Sequence, residues 1–289
     1  MNTVEFDFLR KFLRDRSGLV LSDEKQYLIE SRLIPVARRN GLASISEIVA
    51  KLKTQAPALE AAVVEAMTTN ESFFFRDKTP FEHLRDEMLP TLLAARAGQR
   101  KLRIWCAAAS TGQEPYTIAM ILADMAAKVA GWRIEILGTD LSTEVLDRAK
   151  AGLYTQFEVQ RGLPIQLLVK HFTQKGDQWE ISPAIRSMVQ YRPLNLLRDF
   201  SSLGHFDIVF CRNVLIYFDQ DTKVDVLSRV SRMLAPDGYL TLGAAETVVG
   251  LTSAFKPHAD RRGLYVLNHD QRPQSRLAAL PSAGFARMR

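Results

Sequence analysis

The sequence predicts an α/β fold: a doubly wound, Rossmann-like sheet with a small antiparallel β-subdomain inserted, preceded by an all-helical N-terminal domain. Three observations carry this. An apolar run, Leu102 to Ala108, breaks at Ser110-Thr111-Gly112 and passes into a helical pattern, Thr117-Ile-Ala-Met-Ile-Leu-Ala-Asp124. Strand, small-residue turn and helix form the ligand-facing corner of a doubly wound sheet. A second strand, Glu135-Ile-Leu-Gly-Thr-Asp-Leu141, ends in an acid, and strands alternate with helices from there on.

Each element has a local reason. Asp23 and Gln26 predict a capping pair before Tyr27-Leu-Ile-Glu-Ser-Arg-Leu-Ile34, with Pro35 as a kink and Gly41 as the stop. Ser44 and Glu47 predict a capping box for the next helix, and an apolar-periodic stretch runs from Ala58 to Met67. Thr79, Pro80 and Glu82 supply a cap, a first-turn proline and an acid for a helix reaching Ala97. These signals put the helical domain at 1–75 and the α/β domain at 76–267. Within the latter, strands are predicted at 102–108, 134–139, 188–193, 206–211 and 238–243, and helices at 114–128, 142–150 and 219–234. Gly263-Leu-Tyr-Val-Leu267 closes the domain as a last strand. The interval 152–186 interrupts the alternation with a short helical pattern, Pro164 to Lys170, and a hairpin signal, His171 to Ile181, turning near Gly176-Asp177. It reads as a β-containing insertion at the sheet edge. Residues 268–289 have the composition of a disordered tail.

A chain of 289 residues with 47% apolar content can build a sizeable core. The formal charge of +6 raises the question of nucleic acid, and its location answers it. Residues 1–75 hold 10 basic and 10 acidic side chains, 76–267 hold 24 and 21, and 268–289 hold 4 and 1, so half the excess lies in the tail. The rest is only mildly basic, and no nucleic-acid partner is expected. No stretch is long and uncharged enough for membrane insertion, and Met1-Asn-Thr-Val-Glu-Phe-Asp lacks a signal-peptide pattern. Cys106 and Cys211 sit in apolar strand-like runs and read as small core residues of a cytoplasmic protein, with no disulfide and no metal site expected.

The dinucleotide fingerprint uses its glycines to bring a pyrophosphate onto the backbone. This turn has one, Gly112, behind alanines and hydroxyls. S-adenosylmethionine has no phosphate, and its amino-acid end needs only backbone polar groups and a small turn. The missing glycines therefore favour it over a nicotinamide or nucleotide cofactor. Asp140, at the end of the second strand, can accept from both ribose hydroxyls. The same turn also fits a structural strand–helix corner in a domain of other function.

Three further segments are predicted to converge on the strand ends. Thr68-Thr-Asn-Glu-Ser-Phe-Phe-Phe-Arg76 sets apolar rings beside an amide, hydroxyls and a guanidinium. Asn70, Ser72 and Arg76 stand at spacings of two and four and can face one cleft, while a linker with buried phenylalanines is the plainer reading. In Arg192-Pro-Leu-Asn-Leu-Leu197, Asn195 can bond an adenine edge with Leu196 packed on the ring; a simple turn fits too. Phe206-Asp-Ile-Val-Phe-Cys-Arg-Asn-Val-Leu-Ile-Tyr-Phe218 ends the fourth strand, where enzymes that methylate base amines carry Asn/Asp-Pro-Pro-aromatic. Arg212, Asn213 and Tyr217 stand there without Pro-Pro, and Arg212 and Tyr217 are donors suited to an oxygen acceptor that is already an anion.

In these segments the chain closely resembles the chemotaxis receptor methyltransferases, the CheR family. The matching pieces are 68–76, Ala-Ala-Ala-Ser-Thr-Gly-Gln-Glu-Pro-Tyr (107–116), Gly-Thr-Asp (138–140), Arg-Gly-Leu-Pro (161–164), Asn-Leu-Leu (195–197) and Phe-Cys-Arg-Asn-Val-Leu-Ile-Tyr-Phe (210–218). The resemblance runs from the helical start to about residue 267. It implies a protein-glutamate O-methyltransferase that moves a methyl group from S-adenosylmethionine to glutamate side chains on chemoreceptor signalling helices, leaving S-adenosylhomocysteine. It also implies that Asn70, Ser72, Arg76, Glu114, Asp140, Asn195, Leu196, Arg212 and Asn213 line the cofactor site; Ser72 stands where the family often has Thr, with the hydroxyl kept. The insertion corresponds to the family's β-subdomain, which meets the receptor. Members that dock on a receptor's C-terminal pentapeptide carry a longer, glycine-rich loop there, and the short hairpin around Lys175-Gly-Asp177 argues against tethered docking.

A glutamate carboxylate is ionised at neutral pH, so on this reading no general base is needed. Arg76 and Tyr217 are expected to hold the acceptor carboxylate. Arg32, Arg38 and Arg39, on the second predicted helix, are expected to meet the acidic helical bundle of the receptor, although a solvated polar face explains them as well. Two other readings stay open: a nucleic-acid or small-molecule methyltransferase on the same fold, and a non-catalytic cofactor-sensing or scaffold protein. The missing Pro-Pro and the tail-located charge argue against the first, and Arg76, Asp140, Asn213 and Tyr217 against the second.

Overall fold

The computed structural model describes residues 1–269; the rest of the expected tail, 270–289, lies outside the described residues. Asn268 and His269, read above as tail, are fastened to the fold. The Asn268 amide donates to the Ala254 carbonyl at 2.8 Å, and a His269 ring nitrogen lies 2.8 Å from the Pro236 carbonyl.

Four helices open the chain: α1 (Thr3–Ser17), α2 (Gln26–Arg39), α3 (Ile45–Leu52) and α4 (Pro57–Met67). Their apolar stripes, including Leu9, Leu13, Ile29, Leu33, Ile48 and Val63, meet in a core of their own. Asn2 and Glu5 form a reciprocal capping box at the start of α1, a device that stabilises a helix by about 1 kcal/mol. The expected Asp23–Gln26 capping pair does not form. A short 3₁₀ turn over Asp23–Lys25 leads into α2 instead; Asp23 ion-pairs with Arg10 of α1, and Gln26 bonds Glu30 at 3.1 Å. Ser44 does cap α3, accepting from the Glu47 amide at 3.2 Å, while the Glu47 carboxylate reaches the Ala43 amide rather than that of Ser44.

The next helix runs as α5 (Thr79–His83), a π turn over Leu84–Met88, and α6 (Leu89–Ala95). Pro90 has no N–H for the Asp86 carbonyl and its ring would crowd it, so the ladder widens here by one residue, with Leu89 bonding back to Leu84. Thr79 is the first helical residue and makes no capping bond, contrary to expectation.

The α/β part follows as β1 (Lys101–Ala107), α7 (Gln113–Asp124), β2 (Arg133–Asp140), α8 (Thr143–Ala151), β3 (Leu153–Thr155), α9 (Gln156–Gln160), α10 (Ile165–His171), β4 (Phe172–Lys175), β5 (Gln178–Ile181), α11 (Pro183–Arg186), β6 (Val189–Pro193), β7 (Phe206–Cys211), α12 (Gln220–Met233), β8 (Leu234–Leu242), β9 (Phe255–Pro257) and β10 (Leu264–Leu267). Seven strands form the main sheet in the order β6-β2-β1-β7-β8-β10-β9. The five from β6 to β8 are parallel, and β10 pairs antiparallel with both neighbours. The chain winds outward from β1 through β2 to β6, then returns to β7 on the other side. That reversal opens a crevice at the carboxyl ends of β1, β2 and β7. Side chains alternate along β1: Ile104 and Cys106 join the core under α5, α6 and α7, whereas Trp105 and Ala107 join the core under α12. Every residue of β7 is buried, as a central strand covered on both faces requires.

The insertion is the expected small antiparallel unit, a three-stranded sheet in the order β3-β5-β4, with the hairpin turning at Gly176. It presses on the segment leading to α5. Phe74 is fully buried, edge-on to Tyr154 at 5.1 Å and to Phe172 at 5.6 Å. Gly162 has φ +86°, and a side chain there would run into the Phe74 carbonyl, so the Arg-Gly-Leu-Pro motif needs its glycine for this approach.

Candidate active site

One cleft collects the predicted residues. It offers about 1030 Å³ of free space, part of it open solvent, and lies at the carboxyl ends of β1, β2 and β7. Asn70, Ser72, Arg76, Glu114, Asp140, Asn195, Leu196, Arg212, Asn213 and Tyr217 all line it. Five separate segments supply them: the linker before α5, the start of α7, the end of β2, the loop after β6 and the loop after β7; the turn after β1 adds Ala108, Ala109 and Ser110.

Asp140 ends β2 almost fully buried. One carboxylate oxygen accepts from the Ser110 amide at 2.8 Å and the other from the Ser142 amide at 3.0 Å. Burial pushes its carboxyl above the ordinary value of 3.8, against the pull of those amides and that of Leu141. Each oxygen keeps a lone pair for another donor. The turn that delivers Ser110 is strained, with Ala108 at φ +62° and Ser110 at φ +50°, and it is held by the Ser110 hydroxyl donating to the Asn70 carbonyl at 2.8 Å. Gly112 does not line the cleft. At φ +93°, it lets the turn pack against Tyr191 and Ala149, where a side chain would collide.

Arg212 is a buried clamp rather than a free donor. Its guanidinium lies 2.9 Å from Glu114 and 2.7 Å from Asp77, and also donates to the Arg76 carbonyl at 2.8 Å. Burial pushes the Glu114 carboxyl up and Arg212 pulls it back down. The expectation that Arg212 meets an anionic acceptor is corrected accordingly: two carboxylates already neutralise it. Its Nε, however, is buried without a hydrogen-bond partner.

Arg76 is different. It donates to the Glu71 carbonyl at 2.7 Å and rests over the Phe73 ring at 5.5 Å, and among the described residues no carboxylate lies within ion-pair distance of it. Phe73 is shared with Arg161, whose guanidinium stands 4.2 Å from the ring and pairs with Glu71 at 2.5 Å. The Tyr217 hydroxyl likewise makes no hydrogen bond among the described residues, while its carbonyl accepts from the Val20 amide at 2.9 Å.

Asn195 is placed in the cleft, but its amide is engaged. Nδ2 donates to the Arg16 carbonyl at 2.7 Å and Oδ1 accepts from the Leu197 amide at 2.9 Å, so an adenine edge could use only the second hydrogen or lone pair. Leu196 and Leu141 give the apolar wall an adenine ring needs. Spare acceptors on a buried carboxylate, an apolar slot, a small turn and the partnerless Arg212 Nε together fit S-adenosylmethionine. Asp140 would take the ribose, Leu196 and Leu141 the base, and the 108–110 turn with Asn70 the amino-acid end.

Two family models account for nearly the whole described chain. The CheR methyltransferase all-alpha domain matches residues 4–68, and the CheR methyltransferase SAM-binding domain matches residues 70–263. The chain belongs to the CheR methyltransferase family. It is 45% identical over 256 residues to Chemotaxis protein methyltransferase 1 of Pseudomonas aeruginosa, covering 87% of this chain and 93% of the relative. Chemotaxis protein methyltransferase Cher2 of Pseudomonas putida is 43% identical over 88% of this chain and 94% of its own. Chemotaxis protein methyltransferase 1 of Vibrio cholerae is 42% identical over 86% and 91%. This CheR protein is thus an S-adenosylmethionine-dependent methyltransferase of chemotaxis, and the expected family, fold class and cofactor are borne out.

Sequence reasoning missed several site residues of this CheR chain. Ser17, the last residue of α1, and Leu19, just beyond it, wall the cleft from the helical side. Asn213, at φ +58°, donates its amide to Glu246 at 2.7 Å, a residue no motif pointed to. Arg32, expected to face a receptor, turns inward: it donates to the carbonyls of Met67 and Thr68 at 2.8 and 2.9 Å and holds the end of α4 and the linker that carries Asn70. Arg38 and Arg39 are exposed, with no ion pair among the described residues.

Proposed function

We propose that this enzyme methylates side-chain carboxylates of glutamates on the acidic signalling helices of chemoreceptors, in the cytoplasm, with Arg76 and Tyr217 receiving the acceptor. The observation that carries this is the uncommitted guanidinium of Arg76. It lies at the cleft, braced by an aromatic face and one carbonyl, with no carboxylate of the described residues within ion-pair distance. An arginine so placed suits a visiting carboxylate.

S-adenosylmethionine, when bound, supplies an electrophilic methyl carbon whose bond to sulfur breaks with both electrons passing to sulfur. Everything else is the work of side chains. Arg76 and Tyr217 orient the glutamate carboxylate so that one oxygen keeps a lone pair in line for attack; a new C–O bond forms and the product is a neutral ester. No proton moves, so no general base is required. Orientation and exclusion of water can lower such a barrier by several kcal/mol. Neutralisation of Arg212 by Glu114 and Asp77 matters here, because a second free cation would hold the acceptor too tightly and blunt it as a nucleophile.

Arg38 and Arg39 on exposed α2 are the proposed electrostatic contact with the acidic bundle. The helical core packs α2 against α4, whose end leads into the linker that carries Asn70.

The test is methyl transfer from tritiated S-adenosylmethionine to a purified receptor signalling fragment, with RNA as the parallel acceptor. Label on the fragment that is released as methanol by alkali is the expected result, since esters hydrolyse and methylamines do not. Alkali-stable label, or label on RNA alone, contradicts the proposal.

A further inference from the structure

Glu246 lies between β8 and β9, outside every motif used so far, and is almost fully buried. Its carboxylate is the meeting point of four backbone amides. One oxygen accepts from Asn213 and Gly243, both at 2.7 Å; the other accepts from Val214 at 3.0 Å and Ile216 at 3.3 Å. Converging amides form a nest that attracts an anion. Here the chain supplies its own anion from a distant segment.

Three of the amides, those of Asn213, Val214 and Ile216, belong to the loop after β7, which carries Asn213 and Tyr217 into the cleft; the fourth, Gly243, directly follows β8. Asn213 sits in the left-handed region at φ +58°, which asparagine tolerates better than most side chains, and its amide there points at the Glu246 carboxylate. Gly243 shows how close the two segments come: a side chain there would stand 2.7 Å from both the Asn213 side chain and the Glu246 carboxylate. Without the carboxylate, the amides of 213, 214 and 216 would lose their shared acceptor. The turn that aims Tyr217 would then keep its own bonds, from the Tyr217 amide to Val214 at 3.2 Å and from the Phe218 amide to Leu215 at 3.0 Å, and be tied to the rest of the chain by the Val20–Tyr217 backbone bond at 2.9 Å.

We propose that Glu246 is a positioning residue for methyl transfer: it acts through the 213–217 loop to set where Asn213 and Tyr217 stand. The proposal rests on the reading of Tyr217 as an acceptor-holding group. A misplacement of about 1 Å in such a site can cost on the order of 10²-fold in rate.

Glu246→Gln keeps the size of the side chain and one acceptor oxygen while replacing the other with a donor. The expected result is a folded protein with kcat lowered about 10- to 100-fold and the KM for receptor changed much less. Tyr217→Phe, costly in the native background, should cost little more on top of E246Q, because the loop is already displaced. Glu246→Asp, which keeps the charge with a shorter reach, should recover part of the rate. A second measurement does not depend on substrate. In NMR spectra of the full chain, the amide protons of Asn213 and Gly243 should move upfield in E246Q, and the Tyr217 ring signals should shift with them. Unchanged kcat, or full additivity with Y217F, overturns the proposal. So does movement of the amides with the Tyr217 signals left in place. If the native enzyme forms no ester on receptor, the substrate reading fails on its own, and the NMR comparison still decides the role of Glu246.

Discussion

The Arg212 guanidinium lies 2.9 Å from the Glu114 carboxylate and joins the end of β7 to the first turn of α7, at the wall of the cleft. The Arg212 side chain is buried and that of Glu114 largely so, and the pair is a matched set. Removing one partner leaves an uncompensated charge, which costs several kcal/mol. Glu114→Gln should therefore destabilise the protein by about 3 kcal/mol, the low end for a broken buried pair because Asp77 still meets Arg212. Denaturant unfolding measures this, and a loss below about 1 kcal/mol would mean the pair behaves like a surface ion pair.

Asp140→Ala should weaken S-adenosylmethionine binding by about one to three orders of magnitude, the loss of one or two hydrogen bonds to a charged acceptor. Titration calorimetry on a variant shown to be folded is the measurement. Unchanged affinity refutes the ribose assignment.

The pH dependence of that binding carries a sign. Burial raises the Asp140 carboxyl above 3.8 in the folded protein. A raised carboxyl contributes stability that is full below the unfolded value and is lost as pH climbs through the folded value. Ionised Asp140 is thus a cost to the ligand-free protein at neutral pH, and the ribose needs that ionised form. Cofactor affinity should fall as pH is lowered through the raised value, at higher pH than an exposed aspartate would show, and binding should then be accompanied by proton release. Affinity that is flat through this window in the native protein contradicts the role.

Tyr217→Phe removes a donor with no partner among the described residues, so its loss should register only with substrate present. The expectation is a kcat about 10- to 100-fold lower, with melting temperature and cofactor affinity unchanged. An equal loss of cofactor affinity would place Tyr217 on the cofactor rather than the acceptor.

Arg32 and the Arg38/Arg39 pair should separate cleanly. Arg32→Ala should lower stability by about 1–3 kcal/mol and weaken cofactor binding, since Arg32 anchors the carbonyls of Met67 and Thr68 next to Asn70. Charge reversal at Arg38 and Arg39 should spare cofactor binding while reducing receptor methylation and its salt dependence. Methylation untouched by the reversal removes α2 from the receptor contact.

How much could be read in advance depended on whether the cause was local. The strand–turn–helix corner at 102–124 follows from an apolar run and a small-residue turn, and β7 matches its expected bounds because, Asp207 apart, its composition is apolar. The short β9 escaped notice: three residues, Phe255-Lys-Pro257, carry no period of their own and pair only because β10 arrives beside them. The site followed the same rule. Asp140 and Asn213 were visible in their motifs, but the partners that fix them, Ser142 for the one and Glu246 for the other, are contributed by geometry. Arg32 was misread for the complementary reason: nothing in a helix sequence says that an arginine will turn inward to the end of the next-but-one helix. Gly112 was correctly singled out as the turn glycine, yet it serves close packing against Tyr191 and Ala149, not approach of the cofactor.

The most direct test of the whole account is a crystal structure of this protein with S-adenosylhomocysteine. The account predicts the ribose hydroxyls on Asp140, the adenine against Leu196, and the sulfur facing the space between Arg76 and Tyr217. A ligand bound elsewhere, or seated in the cleft with its sulfur turned away from those two side chains, would contradict it.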